Sequence, residues 1–159
     1  MRTLLVLALA TGVMATIATD SVVAAEATDK TVKARRAFFQ LVLSNAAPLF
    51  GMAKGAVDYD AKTAQTHADN LKLLVDMKNG HLWAKGSDNG NPALKGQTRA
   101  LPGIWAADSD AGAKSKAWKE AVAALAVEAG KGKDAMVAKL SPMGATCSAC
   151  HDKYRAKDF

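Results

Sequence analysis

The apolar positions of this chain fall at three- and four-residue steps in four separate stretches, the spacing of helices that bury one face. In residues 31–52 the stripe is Val32, Arg35, Phe39, Val42, Leu43, Ala46, Leu49 and Phe50, widened by Phe38 and Leu41. A second helix is expected from about Asp60, its N-cap, to Lys78; Ala64, Ala68, Leu71, Leu74 and Val75 share its face, and Asn79-Gly80 stops it. A third starts near Asp110 with Ala113, Ala117, Ala121, Ala124 and Leu125 in register, Trp118 flanking them and Gly130 as the stop. The fourth starts near Asp134 and carries Met136, Val137 and Leu140 into Ser141-Pro142. Proline has no amide hydrogen for an internal helical bond, so a kink is expected there, or a restart with Ser141 as N-cap. Beyond it, one helix can run to about Lys157.

Between the second and third stretches, residues 79–110 read as a long connection without a regular element. Gly80, Gly86, Gly90, Pro92, Gly96, Pro102 and Gly103 interrupt every pattern. Connections of this length in compact domains are uncommon and often functional. Trp83 and Trp105 are expected to pin it onto the helices. No alternating strand pattern and no internal repeat is present. The predicted fold is all-α, an antiparallel four-helix bundle with one long connection.

Composition agrees with this. The chain has 159 residues, room for a single domain, and only 6% of them are aromatic. The formal charge of +6 is spread along the chain, with no basic stripe interleaved with aromatics, which argues against nucleic-acid binding. The first 25 residues stand apart. Arg2 precedes an apolar run from Leu4 to Ala18, and Val23-Ala24-Ala25 fits the small-residue cleavage rule. Residues 1–25 are therefore expected to be a signal peptide removed after Ala25, leaving an exported domain of residues 26–159 with no membrane span. Thr11, Thr16, Thr19 and Asp20 break the run before it reaches spanning length.

The sharpest chemical signal is Cys147-Ser148-Ala149-Cys150-His151. The C-x-x-C-H spacing is the attachment signature of c-type haem. On a helix, positions i, i+3 and i+4 lie on one face. Two cysteines there can form thioethers with the two vinyl groups while the histidine becomes the proximal ligand. A disulfide over so short a loop stabilises little, a thioredoxin-like pair wants a βαβ setting, and zinc wants further ligands that no second motif supplies. The cofactor expected is one covalent haem c on the C-terminal helix, with iron held by His151.

The other axial position separates electron carriers from gas binders. The residues after His151 contain no methionine, and Met136 and Met143 precede the motif on the same segment. Met52, Met77, His67 and His81 remain as ligands for that position.

The sequence resembles cytochrome c′, the class II c-type cytochromes, over essentially all of residues 26–159. The motif C-x-x-C-H-x-x-Y-R, Cys147 to Arg155, carries the resemblance most strongly. The V-K-x-R opening at Val32 to Arg35, the Ala56–Ala61 stretch around Tyr59-Asp60, and Pro102-Gly103-Ile104-Trp105 support it. The resemblance implies thioether anchors at Cys147 and Cys150 and an axial ligand at His151. It implies a haem-propionate contact for Arg35, helped by Arg36, with Arg99 a further propionate candidate and Arg155 beside the proximal histidine. Low-spin members place a ligating methionine four residues after the first-helix arginine. Here that residue is Phe39, which has no lone pair and whose ring is expected to cover the distal face.

The expected result is a five-coordinate, high-spin iron behind an apolar lid. A pocket without a hydrogen-bond donor suits nitric oxide and carbon monoxide better than dioxygen. The function implied is a periplasmic gas-binding haem protein, binding or scavenging nitric oxide, rather than an enzyme; a peroxidase would need a distal histidine–arginine pair. The alternative is a low-spin electron carrier serving a larger redox partner protein. Relatives of this fold often dimerise through the first two helices, so a homodimer is also implied.

Overall fold

The computed structural model describes residues 27–159; the signal-peptide expectation for residues 1–25 lies outside them. Four helices make up the bundle: α1 (Asp29–Lys54), α2 (Ala61–Asp76), α3 (Ala111–Glu128) and α4 (Lys133–Tyr154). They pack in a ring, α1 on α2, α2 on α3, α3 on α4 and α4 back on α1, as an antiparallel up-and-down bundle requires. Among the described residues there is no named strand and no helix long and apolar enough to cross a membrane.

Local chemistry sets the helix ends. The Thr28 side chain accepts from the Thr31 amide to open α1, and Gly55 at φ 72° closes it, a left-handed conformation that glycine adopts without strain. Asp60 caps α2 by accepting from the Thr63 amide at 2.7 Å, as its position before the apolar periodicity predicts. Asp110 stands at the N-cap of α3 but makes no capping bond, because its carboxylate is engaged by α4 instead.

Three expectations are corrected. First, α4 does not break or restart at Ser141-Pro142; it runs unbroken from Lys133 to Tyr154. Pro142 is exposed, so the carbonyl that loses its helical donor can turn to water, and α4 keeps its course on the packing of Met136, Leu140 and Met143. Second, α4 ends before Lys157. The Tyr154 carbonyl is taken by the Leu101 amide, and Arg155 pairs with Ala100 in an isolated antiparallel bridge. Third, the long connection is not featureless: single 3₁₀ turns form at Gly80–Leu82, Pro92–Leu94 and Pro102–Trp105. Asn91 supports the second by accepting from the Ala93 amide.

The largest cluster of buried hydrophobic side chains lies in one half of the bundle, while Val32, Phe38, Leu82 and Leu94 are buried outside it. The cluster joins Ala46, Leu49 and Met52 of α1, Ala64 to Val75 of α2, Val122 and Leu125 of α3, and Met136, Leu140 and Met143 of α4. Beyond Val122 toward the start of α3 and beyond Met143 toward the end of α4, no hydrophobic side chain is fully buried until Tyr154. The alanines read as the buried face of α3 fare differently from expectation: Ala113, Ala117 and Ala124 are exposed.

At the core end, two side chains tie the short connections together. The Tyr59 hydroxyl donates to the Ala129 carbonyl at 2.8 Å and accepts from the Gly132 amide at 3.0 Å. Gln65 donates to the Ala126 carbonyl and accepts from the Gly130 amide. Replacing Tyr59 with phenylalanine leaves that carbonyl and amide without the shared hydroxyl. The expected outcome is a loss of about 1–3 kcal/mol in denaturant unfolding, with the haem spectrum unchanged.

Candidate haem site

Cys147, Cys150 and His151 lie in the last turns of α4, each half-buried, and both thiols are free. Their spacing places them on one face of an unbroken helix. Burial pushes both thiols up; beside Cys150, Lys114 acts the other way. Cys147 Sγ points back along the helix, 3.5 Å from the Met143 carbonyl. The His151 imidazole is pushed down, first by burial and then by the charges of Arg155 and Arg99, so the neutral form that can donate a lone pair to a metal is favoured.

Three further elements close on this end of the bundle. From α1, Arg35 is almost fully buried, with 4% of its surface exposed. Its guanidinium donates to the Leu82 carbonyl, to the Ser87 hydroxyl at 2.8 Å, to the Ser87 carbonyl at 2.6 Å and to the Thr98 hydroxyl at 2.9 Å. It lies 4.9 Å above the Trp83 ring. Burial lowers its pKa, and Asp88 opposes that. The connection supplies Trp83, whose ring meets Phe39 and Arg35 of α1 and whose carbonyl accepts from Trp105 Nε1 at 2.9 Å, so Trp83 meets the helix and Trp105 ties the loop to itself. The Phe39 ring lies edge-on to Phe38 and Trp83 and stacks on Trp118 of α3.

The remaining arginines sit at the surface of the same end. Arg36 donates to the Gln97 carbonyl and Arg99 to the Lys157 carbonyl, and the two guanidiniums lie 5.1 and 5.2 Å from the Phe159 ring. Arg155 is the exposed C-cap of α4. Met52, by contrast, is packed into the core at the other end, Met77 and His81 are exposed, and His67 Nδ1 is paired with Asn45 at 3.1 Å.

Does this half of the bundle suit a porphyrin? Where the opposite half has leucines and methionines, it offers Ala113, Ala117, Ala149 and Thr146, which with Asp110 and Lys114 line a cavity of about 290 Å³ between α3 and α4. Trp118 Nε1 is buried and has no hydrogen-bond partner among the described residues, the mark of a donor whose acceptor is not a protein atom. Small side chains beside two half-buried cysteines, a ring of aromatics and an orphan donor fit a flat, largely apolar group carrying carboxylates.

A family model described as cytochrome c′ matches residues 30–155. The chain belongs to the cytochrome c′ family. A cytochrome c′ from Cereibacter sphaeroides is 40% identical over 126 residues, covering 79% of this chain and 83% of that protein. A solved cytochrome c′ from Rhodobacter spheriodes is 39% identical, with a TM-score of 0.78 over 84% of this chain and 99% of that one. A nitric oxide complex of a mutant cytochrome c′ from Alcaligenes xylosoxidans is 27% identical, with a TM-score of 0.69 over 84% and 99% of the two chains. As a member of the cytochrome c′ family, this chain carries covalently bound haem c, and Cys147 and Cys150 are its only cysteines.

Sequence reasoning passed over three parts of this cytochrome c′ site. Trp118 registers in the pattern only as a flank of the alanine stripe, although it stacks on Phe39. Ser87, Thr98 and Asp88, which surround Arg35, are small polar residues in a loop and carry no spacing signal. The third is a clasp between Asp110 and the end of α4. Its carboxylate accepts from the Tyr154 hydroxyl and from Lys153 Nζ at 3.0 Å, with Lys114 at 3.5 Å, while Ser109 and the Asp110 amide also reach the buried Tyr154 hydroxyl.

The Tyr154 and Lys153 hydrogen bonds hold the Asp110 carboxyl down to about 2. A carboxyl whose pKa is depressed in the folded state stabilises it above the ordinary value of 3.8, and that contribution disappears as pH falls through about 2. In Asp110→Asn the holoprotein is expected to melt at a lower temperature than the parent at neutral pH. The gap should narrow over the acid range between those two values, read by thermal unfolding at a series of pH values.

Proposed function

We propose that this protein is a periplasmic haem protein that binds nitric oxide and other neutral diatomic gases on an iron whose only protein ligand is His151. The observation that carries the reading is Phe39: the residue that the family resemblance assigns to the haem face opposite His151 carries a hydrocarbon ring, packed here among Phe38, Trp83 and Trp118. The bound haem supplies an iron centre that takes up a diatomic ligand and changes oxidation state. Cys147 and Cys150 tether it by thioethers, each thiol sulfur bonding to a vinyl carbon while its hydrogen goes to the neighbouring carbon. The neutral imidazole of His151 would supply a lone pair to its iron.

Phe39 offers no lone pair and no proton. Met52, Met77, His67 and His81, the side chains that could ligate in its place, lie in the opposite core, at the surface or paired elsewhere. Arg35 holds the loop over the site and is assigned to a haem propionate, with Arg36 and Arg99 beside it. The four bonds from its two terminal nitrogens leave its Nε–H free for that contact. Arg155 lies one turn beyond His151 and keeps the imidazole side positively charged. The nitric oxide complex of the related Alcaligenes protein is in keeping with this reading. Export to the periplasm follows from the cleavage expected after Ala25. Electron exchange with a redox partner is compatible with the same site. A low-spin electron carrier is the second reading.

The test is the absorption spectrum of protein matured with haem and released from the periplasmic fraction. High-spin bands that change promptly on adding nitric oxide or carbon monoxide are expected, as is loss of covalent haem in Cys147→Ser/Cys150→Ser. A low-spin spectrum indifferent to carbon monoxide overturns the gas reading in favour of the carrier.

We also assign a homodimer to the outer faces of α1 and α2. There Leu41 and Leu73 are 56% and 72% exposed and line, with Asn45, Asn70 and Leu74, a shallow cavity of about 220 Å³. Light scattering should return twice the monomer mass, and Leu73→Glu should return the monomer.

A further inference from the structure

We infer that Trp118 is the residue that holds Phe39 in place, so that access of a gas to the Phe39 side of the haem is set by α3 as much as by Phe39 itself. The inference rests on the assignment of Phe39 to the gas-binding face and goes one step beyond it.

Phe39 is half-buried and does not stand alone. Its ring meets rings from three different places. Phe38, its chain neighbour, is edge-on at 5.2 Å and 81°. Trp83, from the long connection, is edge-on at 6.1 Å and 82°. Trp118, from the second turn of α3, is stacked at 6.3 Å and 28°. All three separations lie in the range where offset-stacked and edge-to-face pairs attract.

The three neighbours are not equivalent. Phe38 moves with the same helix and gives Phe39 no fixed wall. Trp83 is locked from behind, its ring under the Arg35 guanidinium and its carbonyl bonded to Trp105. It also holds the loop, so its replacement disturbs much else. Trp118 alone presents a ring face to Phe39 from a separate helix and carries no hydrogen bond to any described residue. A gas arriving on the Phe39 side must push that ring off the stack. An aromatic pair of this kind is worth enough that removing it should change the population of the displaced ring by about two- to tenfold.

The experiment compares carbon monoxide association to the reduced holoprotein in the parent, Trp118→Leu, Trp118→Phe and Phe39→Ala. Trp118→Leu keeps an apolar side chain and removes the ring; Trp118→Phe keeps a smaller ring and removes the five-membered ring with its N–H. Association is expected to quicken by about two- to tenfold in Trp118→Leu with dissociation unchanged, to quicken less in Trp118→Phe, which keeps a stacking ring, and to rise most in Phe39→Ala. The crystal structure of the Trp118→Leu holoprotein should show the Phe39 ring shifted or in more than one rotamer. Where leucine prevents folding, Trp118→Met makes the same comparison. If Phe39→Ala binds faster and Trp118→Leu does not, the role of Trp118 is overturned while the gas-face reading stands. If Phe39→Ala leaves association unchanged, Phe39 is not the lid and both fall.

Discussion

The bundle closes on aliphatic side chains at one end and on aromatic rings around a buried arginine at the other, and the rest of the structure is arranged around that difference. Leu49, Leu71, Leu125, Leu140 and Met143 are buried to within a per cent of completely, and they come from all four helices at one end. Toward the other end the helices offer Val32, Phe38 and Phe39 of α1 and Trp118 of α3, beside the small or half-buried Ala113, Ala117, Cys147, Cys150 and His151. A covalently tethered haem supplies the missing apolar volume. Thioether attachment matters for the fold as much as for retention, because a core component that cannot dissociate does not depend on its free concentration.

The long connection between α2 and α3 closes that end, and a buried charge holds it. Burying a guanidinium is expensive unless its hydrogen bonds are met. Arg35 meets them with one side chain and three acceptor residues of the loop, Leu82, Ser87 and Thr98. The loop in turn reaches α4 through the Leu101–Tyr154 and Ala156–Arg99 backbone bonds. Asp110 and Tyr154 fasten the start of α3 to the same turn of α4. The segment that carries Cys147, Cys150 and His151 is thus held from α1, the loop and α3 together, which limits how far the imidazole can move.

The two sides of the site differ in chemistry. Around His151 the near charges are Arg155 and Arg99, partly offset by Asp152, and they favour a neutral imidazole. Around Phe39 the neighbours are Phe38, Trp83 and Trp118, all rings. In the proposed haem site, the charged side at His151 and the ring-packed side at Phe39 offer a ligand two unlike routes of approach, one against positive charge and the other against packing.

Much of this was legible in the residues. Spacing along a helix is local, so C-x-x-C-H, the capping aspartate at position 60, the stop at Asn79-Gly80 and the four periodic stretches could all be read without coordinates. The exposed proline is the instructive exception: a local rule predicts a break at Pro142, yet α4 continues because packing before it and the clasp beyond it outweigh one missing bond. The alanine stripe of α3 could be recognised as apolar, but not which of its members line the cavity beside α4, since that depends on what the facing helix presents. The partners of Arg35, the bonds from Tyr154 and Lys153 to Asp110 and the stack of Trp118 on Phe39 join residues 43 to 79 positions apart in the chain. Chemistry carried by neighbours in sequence was set by the sequence alone; chemistry carried by neighbours in space was decided only when the helices and the loop closed on one another.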